Sequence, residues 1–255
     1  MTIRPCIVVP VYDHGAGAVA LLERLAPLGL PVVLVNDGSA PDCTALLRAV
    51  AARYDGALLL EHGENRGKGS AVLTGLRAAW VRGFSHALQI DADGQHDAAD
   101  APRFLALAAS HPEALIIGRP VFDRSVPRGR LLARYLTHVW VWIETLSLDI
   151  PDSMCGFRVY PLRSVIALAD RVSLGRRMDF DPEVAVRLHW EGVPVISVPT
   201  RVSYPEDGRS HFRLWHDNWL ISCMHTRLVF GMLWRAPRLL LRRLPRGRHG
   251  GVRPA

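Results

Sequence analysis

Two aspartates, Asp91 and Asp93, directly follow the apolar run 87–90 and are the side chains in this sequence best placed to do chemistry. A short apolar run bounded by glycine predicts a buried strand, and residues two apart in a strand point to the same side. Both carboxylates can therefore face one point just beyond the end of that strand. Two close carboxylates repel each other unless a cation or a proton lies between them. We expect a hard divalent cation that also binds substrate phosphates.

Two other interpretations of this acidic pair have to be weighed. The spacing Asp91-x-Asp93-x-Gln95 resembles the start of an EF-hand calcium loop, which requires glycine at its sixth position and glutamate at its twelfth. Those positions hold His96 and Pro102, so the chain excludes an EF-hand. The other interpretation is a solvated acidic turn, and the pair alone does not decide between a turn and a metal site.

The segments around the pair alternate between strands and helices. Apolar runs predict strands over 7–12, 32–35, 57–61, 87–90, 114–118 and 193–204. Helices are expected over 18–28, 42–54, 69–82, 127–148 and 183–191. Such alternation is typical of an α/β domain with a central, mainly parallel sheet flanked by helices.

In such a sheet, ligands bind beyond the carboxyl ends of the strands. Segments 10–12, 36–39 and 91–93 all follow predicted strands, so we expect them at one edge. Segment 65–69 opens a helix, where free N–H groups, the helix dipole and Lys68 favour a phosphate. Its spacing is not that of a P-loop, and no G-x-G-x-x-G follows the first strand, so a dinucleotide-binding fold is not expected.

The charge of the chain is concentrated at one end. Residues 235–255 contain seven arginines and no acid, which accounts for the whole net charge of +7. A nucleic-acid binder would spread basic residues over a folded face, so no nucleic-acid partner is expected. The apolar stretch 218–234 has only 17 residues, with Arg227 near its middle, which favours a Trp-rich interfacial helix over a spanning one. We therefore predict a domain over 1–214 and an appended helical segment with a basic tail over 215–255.

The compartment is inferred from the cysteines and the N-terminus. Four scattered cysteines without a C-x-x-C pair indicate reduced thiols in the cytosol, and no signal-peptide pattern is visible. A basic tail beside a Trp-rich helix is typical of attachment to anionic lipid, and a solvated, partly disordered tail is the alternative interpretation. The expected location is cytoplasmic, peripheral on the inner face of the plasma membrane.

Six segments, in order, resemble the motifs of family 2 glycosyltransferases with the Rossmann-like, nucleotide-sugar-binding GT-A fold. Within that family the chain is most similar to the dolichyl- or polyprenyl-phosphate sugar transferases. The resemblance covers residues 3 to about 212, and the segments are 9–12, 35–39, 65–69, 91–95, 152–158 and 180–183.

The resemblance implies a UDP- or GDP-sugar donor and inversion of the anomeric centre in a single in-line displacement. Asp37 would contact the base, and Lys68 would lie near the sugar-nucleotide side of the pocket. Asp91, Asp93 and Gln95 would hold Mg²⁺ or Mn²⁺ on the diphosphate, where the metal neutralises the leaving group. The predicted donor-binding residues are Pro10, Tyr12, Asp37, Gly38, Lys68, Asp91, Ala92 and Asp93.

The acceptor determines which further residues are needed. A phosphate acceptor is already anionic near neutral pH and needs positive residues to position it, whereas a hydroxyl acceptor needs a carboxylate that takes its proton. By resemblance, the acceptor-phosphate arginines are placed at Arg119, Arg128, Arg130 and Arg134, and the candidate bases are Asp152 and Asp181. A solvated helix face is the alternative for the arginines, and a helix or turn cap is the alternative for Asp152. Segment 209–212 departs from the Gly-x-Ser-Lys type usual in those enzymes, so acceptor contacts can differ there.

The leading hypothesis is a metal-dependent glycosyltransferase that acts on a lipid or lipid-phosphate acceptor at an anionic membrane surface. A hydroxyl acceptor, such as a hydroxylated lipid or a glycan, is the alternative within enzymes. A nucleotide-sugar-binding module without turnover is less favoured, because Lys68, Asp181 and the acidic pair are all present. A sugar-nucleotide pyrophosphorylase would need a Gly- and Arg-rich loop after the first strand, which residues 12–15 do not provide.

Overall fold

The computed structural model describes residues 2–122, 126, 128–203 and 213–243. Segment 209–212 and the tail arginines beyond residue 243 lie outside this part of the chain. The predictions made for them therefore stay predictions.

Seven strands form one sheet in the order β3-β2-β1-β4-β6-β5-β7. Strand β6 runs antiparallel to both of its neighbours, β4 and β5, and the other neighbouring pairs are parallel. The predicted α/β class with a mainly parallel central sheet is confirmed. The strands are β1 (Pro5–Val11), β2 (Val32–Asn36), β3 (Ala57–Glu61), β4 (His86–Gln89), β5 (Leu115–Phe122), β6 (Arg158–Pro161) and β7 (Val195–Val202).

Eight α-helices and two short 3-10 turns connect these strands within the described residues. The turns cover Ala26–Leu28 and Ala98–Asp100. The helices are α1 (Gly15–Leu25), α2 (Pro41–Arg53), α3 (Lys68–Val81), α4 (Ala101–Ser110), α5 (Arg128–Thr145), α6 (Leu162–Arg171), α7 (Phe180–Glu191) and α8 (Leu214–Arg243).

The core forms where apolar strands are covered by helices. All residues of β2 and β4 are buried, as expected for central strands of a parallel sheet. Helix α3 packs closely on β1 and β2, because a Cβ at Gly75 would collide with Val8 and approach Val35. The chain moves from β1 to β2 and β3 in one direction and then returns to β4 on the other side of β1. This reversal creates a switch point at β1 and β4, the place where an α/β sheet opens a binding crevice.

Three elements were not predicted from the sequence, namely α4, β6 and α6. Strand β6 has only four residues, begins with the charged Arg158 and ends at Pro161, so it carries no strand pattern. Its residues are nevertheless fully enclosed, because β6 lies between β4 and β5.

Helix α8 packs against α5 and α7 and is continuous over thirty residues. It buries Met224 and Leu228 while Trp215, Trp219 and Trp234 are exposed. No helix in the described part of the chain combines the length and the hydropathy needed to cross a membrane.

Candidate active site

A cleft of about 300 Å³ opens at the carboxyl edge of the sheet, at the switch point. Eight of the residues predicted to bind the donor or metal line it, namely Pro10, Tyr12, Asp37, Lys68, Asp91, Ala92, Asp93 and Gln95. The predicted donor-binding residue Gly38 is not among the described residues that line the cleft. It has a φ of 70°, in the left-handed region that glycine adopts readily, and lies in the turn after β2. The strand ends that the sequence predicted to meet are thus brought together.

Lys68 is the centre of the charged cluster at the base of this cleft. Its ammonium lies 2.7 Å from Asp91 Oδ2 and 2.9 Å from Asp181 Oδ2. All three side chains are largely buried, with 17–18% of the Lys68 and Asp91 side chains exposed and 6% of Asp181. Gly156 closes over the pair, since a Cβ there would collide with the Asp91 carboxylate and crowd the Lys68 ammonium. Lys68 therefore connects the cleft to Asp181, which does not itself line it.

This cluster keeps its members charged. Burial opposes the charge on Lys68, but Asp181 and Asp91 outweigh it, so the pKa of Lys68 is raised. Burial likewise opposes the charge on Asp91, but Lys68 and His96 together hold the pKa of Asp91 below its ordinary value. The cleft therefore presents an ionised carboxylate at Asp91 near neutral pH.

The acidic pair offers oxygen ligands to a hard cation. The Asp93 Oδ1 atom accepts a hydrogen bond from the backbone N–H of Gln95 at 3.0 Å. This bond holds the turn in which Asp91, Asp93 and Gln95 all line the cleft. Within the described residues, no group of three or more His, Cys, Asp or Glu side chains is arranged to hold a metal ion by itself. Two carboxylates and an amide oxygen, completed by substrate phosphates and water, are a donor set that suits Mg²⁺ or Mn²⁺. The residues present therefore fit a divalent cation that binds together with a diphosphate.

A buried polar chain fixes the orientation of Asp91 from behind. Gln89 is fully buried in β4, and its amide nitrogen lies 3.4 Å from Asp91 Oδ1. The Tyr160 hydroxyl of β6 donates to Gln89 Oε1 at 3.1 Å. Burial raises the pKa of Tyr160, which keeps the hydroxyl protonated as a donor.

Asp37 organises the loop that leads into α3. Its carboxylate accepts from the backbone amides of Arg66 at 3.0 Å and Gly67 at 2.8 Å. His62 Nδ1 lies 2.7 Å from the same carboxylate, and His62 Nε2 lies 3.0 Å from the Thr74 hydroxyl. Gly67 has a φ of 97°, and a Cβ there would collide with the Arg176 carbonyl. The predicted base-contacting aspartate thus also shapes the wall of the cleft.

Among the described residues that line the cleft there is none of the predicted acceptor residues, which are Arg119, Arg134, Asp152 and Asp181. Arg134 of α5 holds Asp152 in a bidentate pair, with Nε at 2.6 Å and Nη2 at 2.7 Å. Asp152 also faces His138 at 3.2 Å and accepts from the amides of Met154 and Cys155. Burial favours the neutral acid, but His138 and Arg134 outweigh it, so the pKa of Asp152 is held well below its usual range.

Arg119 is set apart from this pair. It is exposed on β5, opposite Pro199 of β7. Arg134 forms an ion pair with Asp152, and Lys68 forms one with Asp181. Among the described residues, no such pair joins Arg119 to Asp152 or to Asp181.

Several functional neighbours were missed in the sequence. Arg158 is completely buried and donates to the carbonyls of Ser153, Cys155 and Asp181 at 2.5–2.8 Å. It fastens the loop before β6 to the start of α7. A charged residue inside an apolar run is usually interpreted as a surface position, so the sequence offered Arg158 only as the last residue of the motif-like segment 152–158.

A second missed pair joins the cleft to α8. Arg177 lines the cleft, and its Nε donates to Asp217 Oδ1 at 2.9 Å. The sequence could have indicated this pair, because Asp217 is the one acidic residue in segment 213–255.

Comparison with known proteins agrees with this geometry. An undecaprenyl-phosphate mannosyltransferase from Micrococcus luteus is 26% identical over 217 residues, which cover 81% of this chain and 86% of the relative. A polyprenol monophosphomannose synthase from Mycolicibacterium smegmatis is also 26% identical, over 82% of this chain and 81% of that protein.

Solved structures show the same fold at lower identity. Glucosyl-3-phosphoglycerate synthase from Mycobacterium tuberculosis, in complex with Mn²⁺ and UDP-Glc, superposes with a TM-score of 0.64 at 13% identity, covering 92% of this chain and 79% of that one. A mannosyltransferase from Pyrobaculum calidifontis with GDP-Man and Mn²⁺ gives a TM-score of 0.56 at 16% identity, covering 93% of this chain and 65% of that one.

The family itself is identified from the sequence. The sequence model named Glycosyl transferase family 2 matches residues 6–165, which is more than half of the chain and includes the acidic pair. The predicted GT-A fold agrees with the solved neighbours. The chain belongs to glycosyl transferase family 2 and is a glycosyltransferase.

Proposed function

We propose that this enzyme transfers a sugar, with inversion and with the help of a divalent metal, from a UDP- or GDP-sugar to a polyprenyl-phosphate-like lipid. The observation that carries the proposal is the state of the two candidate bases. Asp152 is held by Arg134 and two backbone amides, and Asp181 is paired with Lys68. Because its contacts hold the pKa of Asp152 well below the usual range, that carboxylate is a poor proton acceptor, and a phosphate nucleophile needs none.

The donor is assigned to the cleft. Its volume of about 300 Å³ is at the lower end of small-molecule sites, and its lining combines an apolar wall with charged groups. Pro10, Val11 and Tyr12 supply the wall, and Asp37 also lines the cleft. Solved neighbours bind UDP-Glc or GDP-Man, which supports a nucleoside-diphosphate sugar as the donor.

The metal is assigned to Asp91, Asp93 and Gln95, and it is Mg²⁺ or Mn²⁺. When bound, it neutralises charge that develops on the leaving diphosphate. The neighbours solved with Mn²⁺ support this assignment. Lys68 adds a fixed positive charge 2.7 Å from Asp91, so the protein itself also stabilises anionic oxygens there.

The acceptor phosphate is assigned to Arg134, with Arg119 as a second contact. A guanidinium binds phosphate oxygens through several parallel hydrogen bonds, and Asp152 holds Arg134 in a fixed orientation. An attack from the side opposite the leaving diphosphate inverts the anomeric centre in one step. One relative named above is an undecaprenyl-phosphate mannosyltransferase and the other a polyprenol monophosphomannose synthase, which supports a lipid phosphate.

The membrane is proposed as the place of reaction. Three tryptophans of α8 are 69–88% exposed, and the following segment is rich in arginine. Tryptophan favours the lipid–water interface, and arginine favours anionic lipid. We assign the catalytic domain to 1–214 and the attachment segment to 215–255, at the inner face of the plasma membrane.

A hydroxyl acceptor is the second candidate, and one observation favours it. Asp181 Oδ1 is buried and makes no hydrogen bond to any residue that the structure describes. This oxygen lies 3.8 Å from Arg158 Nη2, and a carboxylate oxygen without a hydrogen bond is an atom that could take a proton.

A transfer assay tests the proposal. Purified enzyme is incubated with labelled UDP- or GDP-sugars and either a polyprenyl phosphate or the matching polyprenol, with Mn²⁺, Mg²⁺ or EDTA. We expect label in the lipid phase with the phosphate and a metal only, and a product of inverted anomeric configuration by NMR.

The matched variants are Asp93→Asn and Asp97→Asn. The first should lose metal-dependent transfer, whereas the second, an exposed residue paired with Arg24, should keep it. Equal transfer to polyprenol and polyprenyl phosphate, or full activity of Asp93→Asn in EDTA, would contradict the proposal.

A further inference from the structure

Arg177 lies in the loop before α7 and lines the cleft together with Lys68 and the acidic pair. Its side chain is 17% exposed, so it is held within the wall. Two of its five N–H groups are used by the protein. Its Nε donates to Asp217 at 2.9 Å, and its Nη1 donates to Asn65 Oδ1 at 3.2 Å. The other three have no partner among the described residues.

The contacts of Arg177 fix the direction of its guanidinium. Asn65 belongs to the loop whose next two amides bind Asp37, so Arg177 is anchored at the nucleotide side of the cleft. With one contact made by Nε and one by Nη1, both N–H groups of Nη2 and one of Nη1 remain, and such donors in the guanidinium plane match phosphate oxygens.

Asp217 is an unusual residue in its surroundings. It lies in the first turn of α8 and is fully buried, although a lone buried carboxylate is costly unless it is paired. Its Oδ2 accepts from the Arg213 amide at 2.7 Å, and its Oδ1 accepts from Arg177. Arg213 also lines the cleft. One carboxylate thus holds two cleft-lining residues.

We infer that Arg177 binds a phosphate of the donor and that Asp217, from α8, is the positioning residue that orients it. This inference rests on the proposed function, because it needs a nucleoside-diphosphate donor in the cleft. It also makes α8 part of the donor site, although α8 contributes no strand end and begins more than a hundred residues after the acidic pair.

The acceptor phosphate is the competing source of the same chemistry. The donor is favoured because Arg177 shares the cleft with Pro10, Tyr12 and Asp37, whereas Arg134 is not among its described lining residues. The experiment separates the two sources.

Calorimetry on the full chain uses UDP, GDP and the nucleosides uridine and guanosine as probes, each with Mn²⁺. Charge-assisted hydrogen bonds of this kind predict that Arg177→Gln weakens nucleoside diphosphate binding roughly 10- to 100-fold. Nucleoside binding should be unchanged, because the contact is to phosphate. Arg177→Lys keeps the charge and should recover part of the affinity, and it serves if the glutamine variant fails to fold.

Asp217→Asn tests positioning through a double-mutant cycle. It should weaken diphosphate binding in the wild-type background and have no further effect in the Arg177→Gln background. The control is Arg227→Gln, also on α8, whose guanidinium lies 3.7 Å from Glu183 and which is not among the described residues that line the cleft. It should leave binding unchanged.

The outcomes are distinct. If the wild type binds neither UDP nor GDP, both the proposed donor and this inference fail. If it binds one of them and Arg177→Gln binds equally well, this inference alone fails. Unchanged diphosphate affinity with a raised KM for polyprenyl phosphate would reassign Arg177 to the acceptor. Equal effects of Asp217→Asn in both backgrounds would make Asp217 a purely structural residue.

Discussion

Replacing Lys68 by methionine tests the electrostatic core of the site. The substitution keeps the length of the side chain and removes the charge that lies 2.7 Å from Asp91 and 2.9 Å from Asp181. At these distances each pair has a gross Coulomb energy of about 6 kcal/mol for an effective dielectric constant of ~20. Desolvation of the ammonium offsets most of that gain, and removing one partner of a buried pair costs about 3–5 kcal/mol.

The lower end of that range is expected here, because 18% of the Lys68 side chain is exposed. A loss of about 3 kcal/mol corresponds to a fall in Tm of roughly 6–12 °C for a domain of this size. Urea unfolding at pH 7.5 measures the free energy directly. Arg77→Met is the matched control on the same helix. Its pair with Asp170 is 44% and 55% exposed, so its loss should stay below about 1 kcal/mol.

The pH dependence gives the prediction a second readout. In the wild type the pKa of Asp91 is below its unfolded value, so Asp91 stabilises the protein above that value and loses this contribution as the pH falls. In the variant, Lys68 no longer offsets the effect of burial, so the pKa of Asp91 rises above its unfolded value. The folded variant then binds the proton more tightly than the unfolded chain, and its stability falls as the pH rises. The difference between the two proteins should shrink from pH 7.5 towards about pH 4. A loss below about 1 kcal/mol, or one that is equal at both pH values, would refute the reasoning.

Three further predictions follow from the geometry of the site. If a lipid phosphate attacks, Arg134→Ala and Arg119→Ala should abolish most transfer while Kd for the nucleoside diphosphate is unchanged, and Asp181→Asn should matter less; transfer and binding assays measure both. Gly156→Ala should lower transfer at least tenfold and the unfolding free energy by about 1–3 kcal/mol, because its methyl group displaces the Asp91–Lys68 pair. Ending the chain at residue 243 removes three arginines, each worth about 1 kcal/mol near anionic lipid, so vesicle sedimentation should show roughly a hundredfold weaker binding.

Each of these predictions has a result that contradicts it. An inactive Asp181→Asn beside active arginine variants would establish a hydroxyl acceptor. Wild-type activity of the Gly156→Ala variant would mean that the Asp91–Lys68 pair can move without loss of function. Equal sedimentation of the full and shortened chains with anionic vesicles, or binding that high salt does not release, would show that the tail arginines do not attach the protein.

The donor edge of the sheet was predictable because parallel strands end at the same edge. Apolar runs located six of the seven strands, and the polar residues after them could be assigned to one cleft before any contact was known. The partner of Lys68 at the back of the site was not predictable from local pattern. Asp181 is more than a hundred residues away in sequence, and only the packing of α7 against α3 brings the two together.

Buried charges account for most of what the sequence did not reveal. Arg158 and Asp217 are fully buried, and sequence patterns assign charged residues to the surface. Their enclosure depends on partners from distant elements, namely the carbonyls around Ser153 for one and Arg177 for the other. Periodicity reports which face of an element is apolar, but it does not report which polar groups will find each other across the fold.

The reversed direction of β6 has a consequence for how acceptors can change. Strands β5 and β6 are antiparallel neighbours, and the Gly118 amide donates to the Phe157 carbonyl at 2.9 Å, so the connection between them leaves and re-enters the sheet at one place. That connection carries Arg134 and Asp152, and Arg119 lies on β5 itself, whereas the strand ends that line the donor cleft come from the first four strands. A segment whose two ends are adjacent can be exchanged without rethreading the sheet. If the acceptor binds as proposed, a change of acceptor would require substitution of this one segment, while the four strands that carry the donor-cleft residues stay unchanged.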